Sequence, residues 1–167
     1  MPLQLAALGF RVTGVDCRRY PFTYPGFEFR QADAPALPEE DAVFDAVTCV
    51  SMLEHVGIGH YNDPCHADDA DVGVVREVRR VLKTGGLFIV TVPFGIANKG
   101  HVQRTYDRAR LQRLFHGFRT EGNRFFLNDR VKGAVNDHWT PCSEEKASQV
   151  EALDKTQCVA CVKAFKE

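Results

Sequence analysis

The sequence predicts an α/β fold. Short β-branched runs alternate along the chain with segments of helical period, two of those runs end in an acid, and one strongly amphipathic helix passes through a glycine pair into an apolar strand.

Taken in order, Pro2 to Leu8 reads as the end of a helix, with Gly9 as its stop. Arg11 to Asp16 is a short strand ending in an acid, and Phe27 to Asp33 is a second of the same form. Phe44 to Val50 is a third strand, followed by the polar segment Ser51-Met-Leu-Glu-His-Val56. Val72 to Lys83 is the clearest helix, with Val72, Val75, Val78 and Leu82 as its apolar stripe. Asp68, Asp69 and Asp71 stand at its positive end and Arg79, Arg80 and Lys83 in its last turns, with Gly85-Gly86 as its stop. Leu87 to Pro93 shows no polar alternation and reads as a strand buried on both faces. Asp107 caps a helix whose Leu111, Leu114, Phe115 and Phe118 fall at helical spacing. Phe118 to Asn128 is an outer strand and Arg130 to Asp137 is irregular; Ser143 to Leu153 is a serine-capped helix and Gln157 to Phe165 a closing strand.

The 167 residues suffice for a single domain with its own core, and 44% hydrophobic with 26% charged residues is globular composition. A net charge of −1 with interspersed signs offers neither a nucleic-acid patch nor a polybasic membrane anchor. The longest apolar run, Leu87 to Ala97, is too short to span a bilayer, and the start lacks the basic region and cleavage site of a secretory signal. A soluble, cytoplasmic protein is expected. Of the six cysteines, Cys49 and Cys158 read as small buried apolar residues. Cys158 and Cys161 spell a CxxC pair, but residues three apart in a strand point to opposite faces.

The order of these pieces resembles a class I S-adenosylmethionine-dependent methyltransferase. The motifs that carry the likeness are Thr13-Gly-Val-Asp16, Gln31-Ala-Asp33-Ala34, Phe44-Asp-Ala-Val with Ser51-Met-Leu-Glu-His55, and Arg79 to Leu87. They cover roughly residues 1–118, with 119–167 supplying C-terminal strands and an insert. A narrower likeness, to a methyltransferase-like group of unknown function, rests on Gly59 to Pro64, Asp68 to Asp71, Val92-Pro-Phe-Gly95, Arg104-Thr-Tyr-Asp107, Trp139 to Glu145 and Cys158 to Cys161. It implies a saccharide-linked acceptor.

The resemblance implies a three-layer, Rossmann-like sandwich, incomplete at its amino-terminal half. The family's first strand and Gly-x-Gly-x-Gly loop would precede Pro2, and the sequence given contains neither. Gly14, alone inside a strand, does not replace that loop. The strands ending at Asp16 and Ser51 would then pair directly, or a second copy would cover their edges as a homodimer or larger oligomer, or the sequence is part of a longer gene.

The implied cofactor is S-adenosylmethionine. Asp16 would accept hydrogen bonds from its ribose hydroxyls and Asp33 would reach the adenine side, with Ala34 and Ser51 beside them; each acid reads otherwise as a solvated turn residue. Ala34 and Leu37 either pack on the adenine or belong to the core. His55 is the candidate general base and Glu54 its catalytic companion, or Glu54 caps backbone amides while His55 packs under the loop. A divalent metal is not expected, because relatives that bind one carry an acid where Ser51 stands. His60, Tyr61, Asp63, Cys65 and His66 form a polar cluster read as an acceptor loop with Tyr61 as a contact, rather than a zinc site. Arg104 would hold an anionic group or make an ion pair, with Tyr106 near it, and Trp139 would wall a sugar ring or pack on the sheet. The functional expectation is methyl transfer to a small acceptor; the alternative is a catalytically inactive remnant acting as an oligomeric scaffold or binding module.

Overall fold

The computed structural model describes residues 1–59, 67–128, 138–151 and 156–167. The chain forms two compact units, Met1–Glu39 and Glu40–Glu167.

The first unit contains helix α1 (Pro2–Ala7) and strands β1 (Val12–Asp16) and β2 (Phe27–Gln31). Proline opens the helix, where its missing N–H costs nothing, and Gly9 ends it at φ +92°. The strands pair in parallel from Val12 opposite Phe27 to Asp16 opposite Gln31. Gly14 is where the Phe27 ring crosses β1, since a Cβ there would lie 2.8 Å from the ring. The Tyr20 ring packs 5.2 Å from Phe22 and 5.6 Å from both Phe27 and Phe29, an aromatic cluster in a unit with little other core. β2 ends two residues short of Asp33, which stands in the following turn.

The second unit begins with β3 (Phe44–Val50), a 3-10 turn (Leu53–His55), α2 (Ala70–Val81) and β4 (Leu82–Pro93). There follow β5 (Asn98–Lys99), β6 (Arg104–Thr105), α3 (Arg108–Leu114), β7 (Phe118–Thr120), β8 (Arg124–Asn128), β9 (Trp139–Cys142), α4 (Glu144–Ala147) and β10 (Cys158–Lys166). Its six-stranded sheet has the order β3-β4-β10-β8-β9, with β7 also on β10. β3 and β4 are parallel and joined through α2, and every other pair is antiparallel. The expected outer strand Phe118–Asn128 is two strands, because Glu121, Gly122 (φ +59°) and Asn123 interrupt it.

The core lies on one face of this sheet. Cys49, Phe88, Val90, Val162 and Ala164 share that face by register and are at most 5% exposed. Val74, Val75, Val78 and Val81 of α2 and Leu111 and Leu114 of α3 are buried as well. The opposite face carries Thr48, Ile89 and Lys163 in one cross-strand row, and Ile89 is 39% exposed. β4 is therefore not buried on both sides. Its polar alternation is invisible in sequence because the outward residue Ile89 is itself apolar.

The stripe of α2 is turned from the expected one. Asp71, Val74, Val75, Val78 and Val81 are buried and Val72 only partly. The helix also ends before the glycine pair, which instead forms a bulge in β4: Gly85 adopts φ +75°, and the register slips between Phe44 and Ala46. A Cβ on Gly86 would come within 2.7 Å of the Lys83 carbonyl. α4 stops at Ala147, short of the expected Leu153, with the Ser143 side chain accepting from the Lys146 N–H at 3.3 Å. No helix among the described residues is long and apolar enough to cross a membrane.

Candidate functional site

The turn that leaves β3 carries Ser51, Glu54 and His55, at the carboxyl end of a parallel strand pair where open α/β sheets bind ligands. Ser51 is non-glycine at φ +48°, a strained conformation that reverses the chain sharply. Its N–H donates to Thr91 Oγ1 on β4 at 3.1 Å.

Three alternate residues from the segment around β6 hold this turn. The His55 Nδ1 lies 2.7 Å from the Val102 carbonyl oxygen. Arg104 Nη1 donates to the Val56 carbonyl at 3.2 Å, and the Tyr106 hydroxyl donates to the Leu53 carbonyl at 3.2 Å. Leu53 is wholly buried and anchors the turn from below. Gly57 completes it at φ +77°, where a Cβ would stand 2.3 Å from the Ala67 carbonyl oxygen. Gly57→Ala is therefore expected to destabilise the protein by about 2 kcal/mol, as a lowered urea midpoint with unchanged slope.

Glu54 is 3% exposed, and its Oε2 has no hydrogen-bond partner among the described residues. Burial pushes its carboxyl up to about 7. Its Oε1 lies 3.9 Å from His55 Nε2. The two predicted catalytic residues thus face each other.

Beside the turn is a buried ion cluster. Asp71 is 0% exposed and receives Arg110 Nη2 at 2.7 Å and Arg110 Nε at 3.1 Å, with Arg104 Nη1 at 3.4 Å. Both guanidinium groups also donate to the Asp68 carbonyl, at 3.3 Å from Arg104 and 2.7 Å from Arg110. The Arg110 guanidinium lies 5.7 Å from the Tyr106 ring centre. Burial raises the Tyr106 phenol well above its ordinary value, so it stays protonated and donating.

Arg104 and Tyr106, expected to face an acceptor, are 2% and 0% exposed and spend their polar atoms on this scaffold. Trp139 is 38% exposed on the outer strand β9, opposite Asn128. Tyr61, with His60, Asp63, Cys65 and His66, lies outside the described residues. Asp71 was read from sequence as a helix-dipole acid. The signal for its real role is that it shares a helix face with Val74, Val75 and Val78, where a carboxylate requires a cationic partner.

In the first unit, Asp16 and Asp33 leave the same end of the parallel pair, since Asp16 is opposite Gln31 and accepts the Ala32 N–H at 3.2 Å. Asp16 is held by Arg18, whose Nε and Nη2 each reach one carboxylate oxygen at 2.9 Å. The backbone N–H of Arg18 adds a third bond at 2.9 Å, and the guanidinium keeps the carboxyl below its usual range. Asp33 is exposed and Ala34 half-buried. β1 pairs with β2 in one sheet and β3 with β4 in another.

Comparison with curated proteins finds no match. Among solved structures, the chain is similar to the Burkholderia thailandensis 1,6-didemethyltoxoflavin-N1-methyltransferase with its bound substrate and S-adenosylhomocysteine. The TM-score is 0.63 at 17% identity, over 98% of this chain and 64% of that one. The chain thus spans less than two thirds of that enzyme's length. A S-adenosylmethionine-dependent methyltransferase from Methanosarcina mazei gives 0.65 at 17% identity, over 98% and 85% of the two chains. A Listeria monocytogenes protein named as a candidate methyltransferase of the same cofactor gives 0.61 at 13% identity, over 99% and 84%. These likenesses establish the α/β fold of class I methyltransferases. Residues 37–127, which are 91 of the 167 and so just over half, match the model of the family described as Caenorhabditis protein of unknown function, DUF268, and the chain belongs to that family.

Proposed function

We propose that the chain carries out methyl transfer from S-adenosylmethionine to a small, saccharide-linked acceptor. The observation that carries this reading is the place of His55, in the turn that leaves the carboxyl end of β3, with its Nδ1 2.7 Å from the Val102 carbonyl oxygen. The fold, shared with methyltransferases, supplies the context. When bound, the cofactor supplies an activated methyl group, so the protein has only to align the reactants and remove a proton.

The residues present fit the nucleoside part of that cofactor. Asp16 offers two carboxylate oxygens at a strand tip, which match a ribose diol once the exposed Arg18 side chain swings aside. Asp33 and Ala34 would reach the adenine. Ser51 would line the methionine side and Trp139 would contact the acceptor. Tyr61 would contact the acceptor. Arg104 and Tyr106 would serve the acceptor site through the turn they hold.

Calorimetry with S-adenosylhomocysteine tests the reading. Heat of binding is expected for the chain and is expected to disappear in Asp16→Ala. A folded sample that gives no heat at high ligand concentration would remove the methyl-transfer assignment. The scaffold reading is favoured by the occupation of both Asp16 oxygens by Arg18 and by the exposed Ile89 on the outer face of the sheet, which a second copy would cover. The same titration separates the two, because a scaffold needs no nucleoside.

A further inference from the structure

Arg18 occupies Asp16 in the way a ribose would. The Asp16 carboxylate ends β1, and Arg18 bends back over it, Nε donating to Oδ1 and Nη2 to Oδ2, each at 2.9 Å. Two parallel donors, one on each oxygen, form the fork of an arginine–carboxylate pair. A vicinal diol makes the same demand, since its adjacent hydroxyls also donate side by side, one to each oxygen. Guanidinium and diol therefore compete for the same lone pairs.

The rest of the turn does not depend on the guanidinium. The Arg18 backbone N–H donates to Asp16 Oδ1 at 2.9 Å, a bond that stays when the side chain leaves. A carboxylate oxygen has two lone pairs, so Oδ1 keeps that bond and still has room for one hydroxyl. Gln31 Nε2 donates to the Cys17 carbonyl at 2.9 Å and ties the turn to the end of β2. The Cys17 thiol, 3.7 Å from Oδ1, is a weak further contact. An ordinary aspartate is ionised at neutral pH, so Asp16 remains an acceptor of two hydroxyls once Arg18 has gone.

We propose that Arg18 is a latch on the ribose site: its guanidinium stands in for the diol, and a nucleoside binds only by displacing it. The inference rests on the nucleoside reading of Asp16 above and adds a residue that sets affinity without touching the ligand. The Arg18 and Asp16 side chains are 62% and 37% exposed. An ion pair so open to water is weak, so the latch lowers nucleoside affinity by about fivefold and does not shut the site. It is also sensitive to salt, which screens exposed charges. S-adenosylhomocysteine has no net charge at neutral pH and its ribose is neutral, so its own bonds to Asp16 change little with salt.

Calorimetric titration of S-adenosylhomocysteine into the full chain and into Arg18→Ala, at low and at high salt, reads the latch. Arg18→Ala is expected to bind about fivefold more tightly at low salt. The gap is expected to narrow at high salt, because the unaltered chain gains affinity there. A residue that only supported the turn, or that contacted the ligand, would lose affinity on substitution. Equal or weaker binding by Arg18→Ala overturns the latch and leaves the cofactor reading in place. No heat from either folded protein sinks that reading, and the latch with it. Should Arg18→Ala not fold, nitrogen-15 NMR of the Arg18 side chain in the unaltered chain decides. Its Nε–H signal is expected to move to that of a solvated guanidinium as S-adenosylhomocysteine saturates the site; a signal unmoved at saturation refutes the latch.

Discussion

Asp71→Asn is expected to lower the stability of the protein by about 3–5 kcal/mol, the cost typical of breaking a buried ion pair from one side. Asp71 is wholly buried, and its carboxylate answers two guanidinium groups. Removing its charge leaves Arg104, itself 2% exposed, with a full positive charge beside the Val56 and Asp68 carbonyl oxygens. Arg104 has little room to reach water, whereas the Arg110 side chain is 23% exposed and can partly resolvate. Arg110→Gln should therefore cost clearly less than Asp71→Asn. The damage should also reach the His55 turn, because Arg104 holds the Val56 carbonyl. Urea denaturation of the two variants checks the ranking. A loss below 1 kcal/mol for Asp71→Asn would mean that the cluster is hydrated and not a buried network.

The second large effect is a pH dependence owed to Glu54. Its folded value of about 7 lies above the ordinary 4.5, so the folded state binds the proton more tightly than the unfolded one. Below the unfolded value both states are protonated and no penalty exists. As the pH rises from 4.5 toward 7 the unfolded chain releases its proton first, and stability falls across that window. The full loss is about 3 kcal/mol and is complete above the folded value. In Glu54→Gln this slope should vanish, so the change in unfolding free energy between pH 5 and pH 8 should be smaller in the variant by about that amount. Comparing the difference between two pH values, and not the absolute stabilities, cancels the cost of burying an amide. Parallel pH profiles for the two proteins would show that the Glu54 carboxyl is solvated.

Much of the fold can be read from the chain. Asp107 and α3 follow from a short polar side chain before apolar residues at helical spacing, and Asp107 Oδ1 does accept the Arg110 N–H at 2.7 Å. β3 follows from a β-branched run bounded by polar residues, and its limits, Phe44–Val50, agree with the reading. The glycine pair was legible as a break but not as a bulge. Helix stops and strand bulges use the same residue, and which one occurs depends on β3 lying alongside to pair with Leu82.

The candidate site was less legible. Glu54 and His55 could be named from their place after a strand, but the carbonyl that orders the ring belongs to Val102, 47 positions away. Arg104 and Tyr106 looked like ligand contacts because polar residues after a strand usually face the crevice. Arg104 is buried here because Asp71, on the core face of α2, demands a cationic partner, and the Tyr106 hydroxyl is spent on the Leu53 carbonyl.

Local pattern, then, specified most of the helices and strands, the residues that cap α3 and α4, and Asp16 as the acid that ends β1. Those features depend on neighbours within a turn or a two-residue repeat, so the order of residues contains them. Folding alone assigned the contact of His55 with the Val102 carbonyl, the burial of Glu54 and the pairing of Asp71, because each depends on groups brought together by the tertiary fold. A low-dielectric interior gives those meetings their energy, and linear order does not state where that interior is.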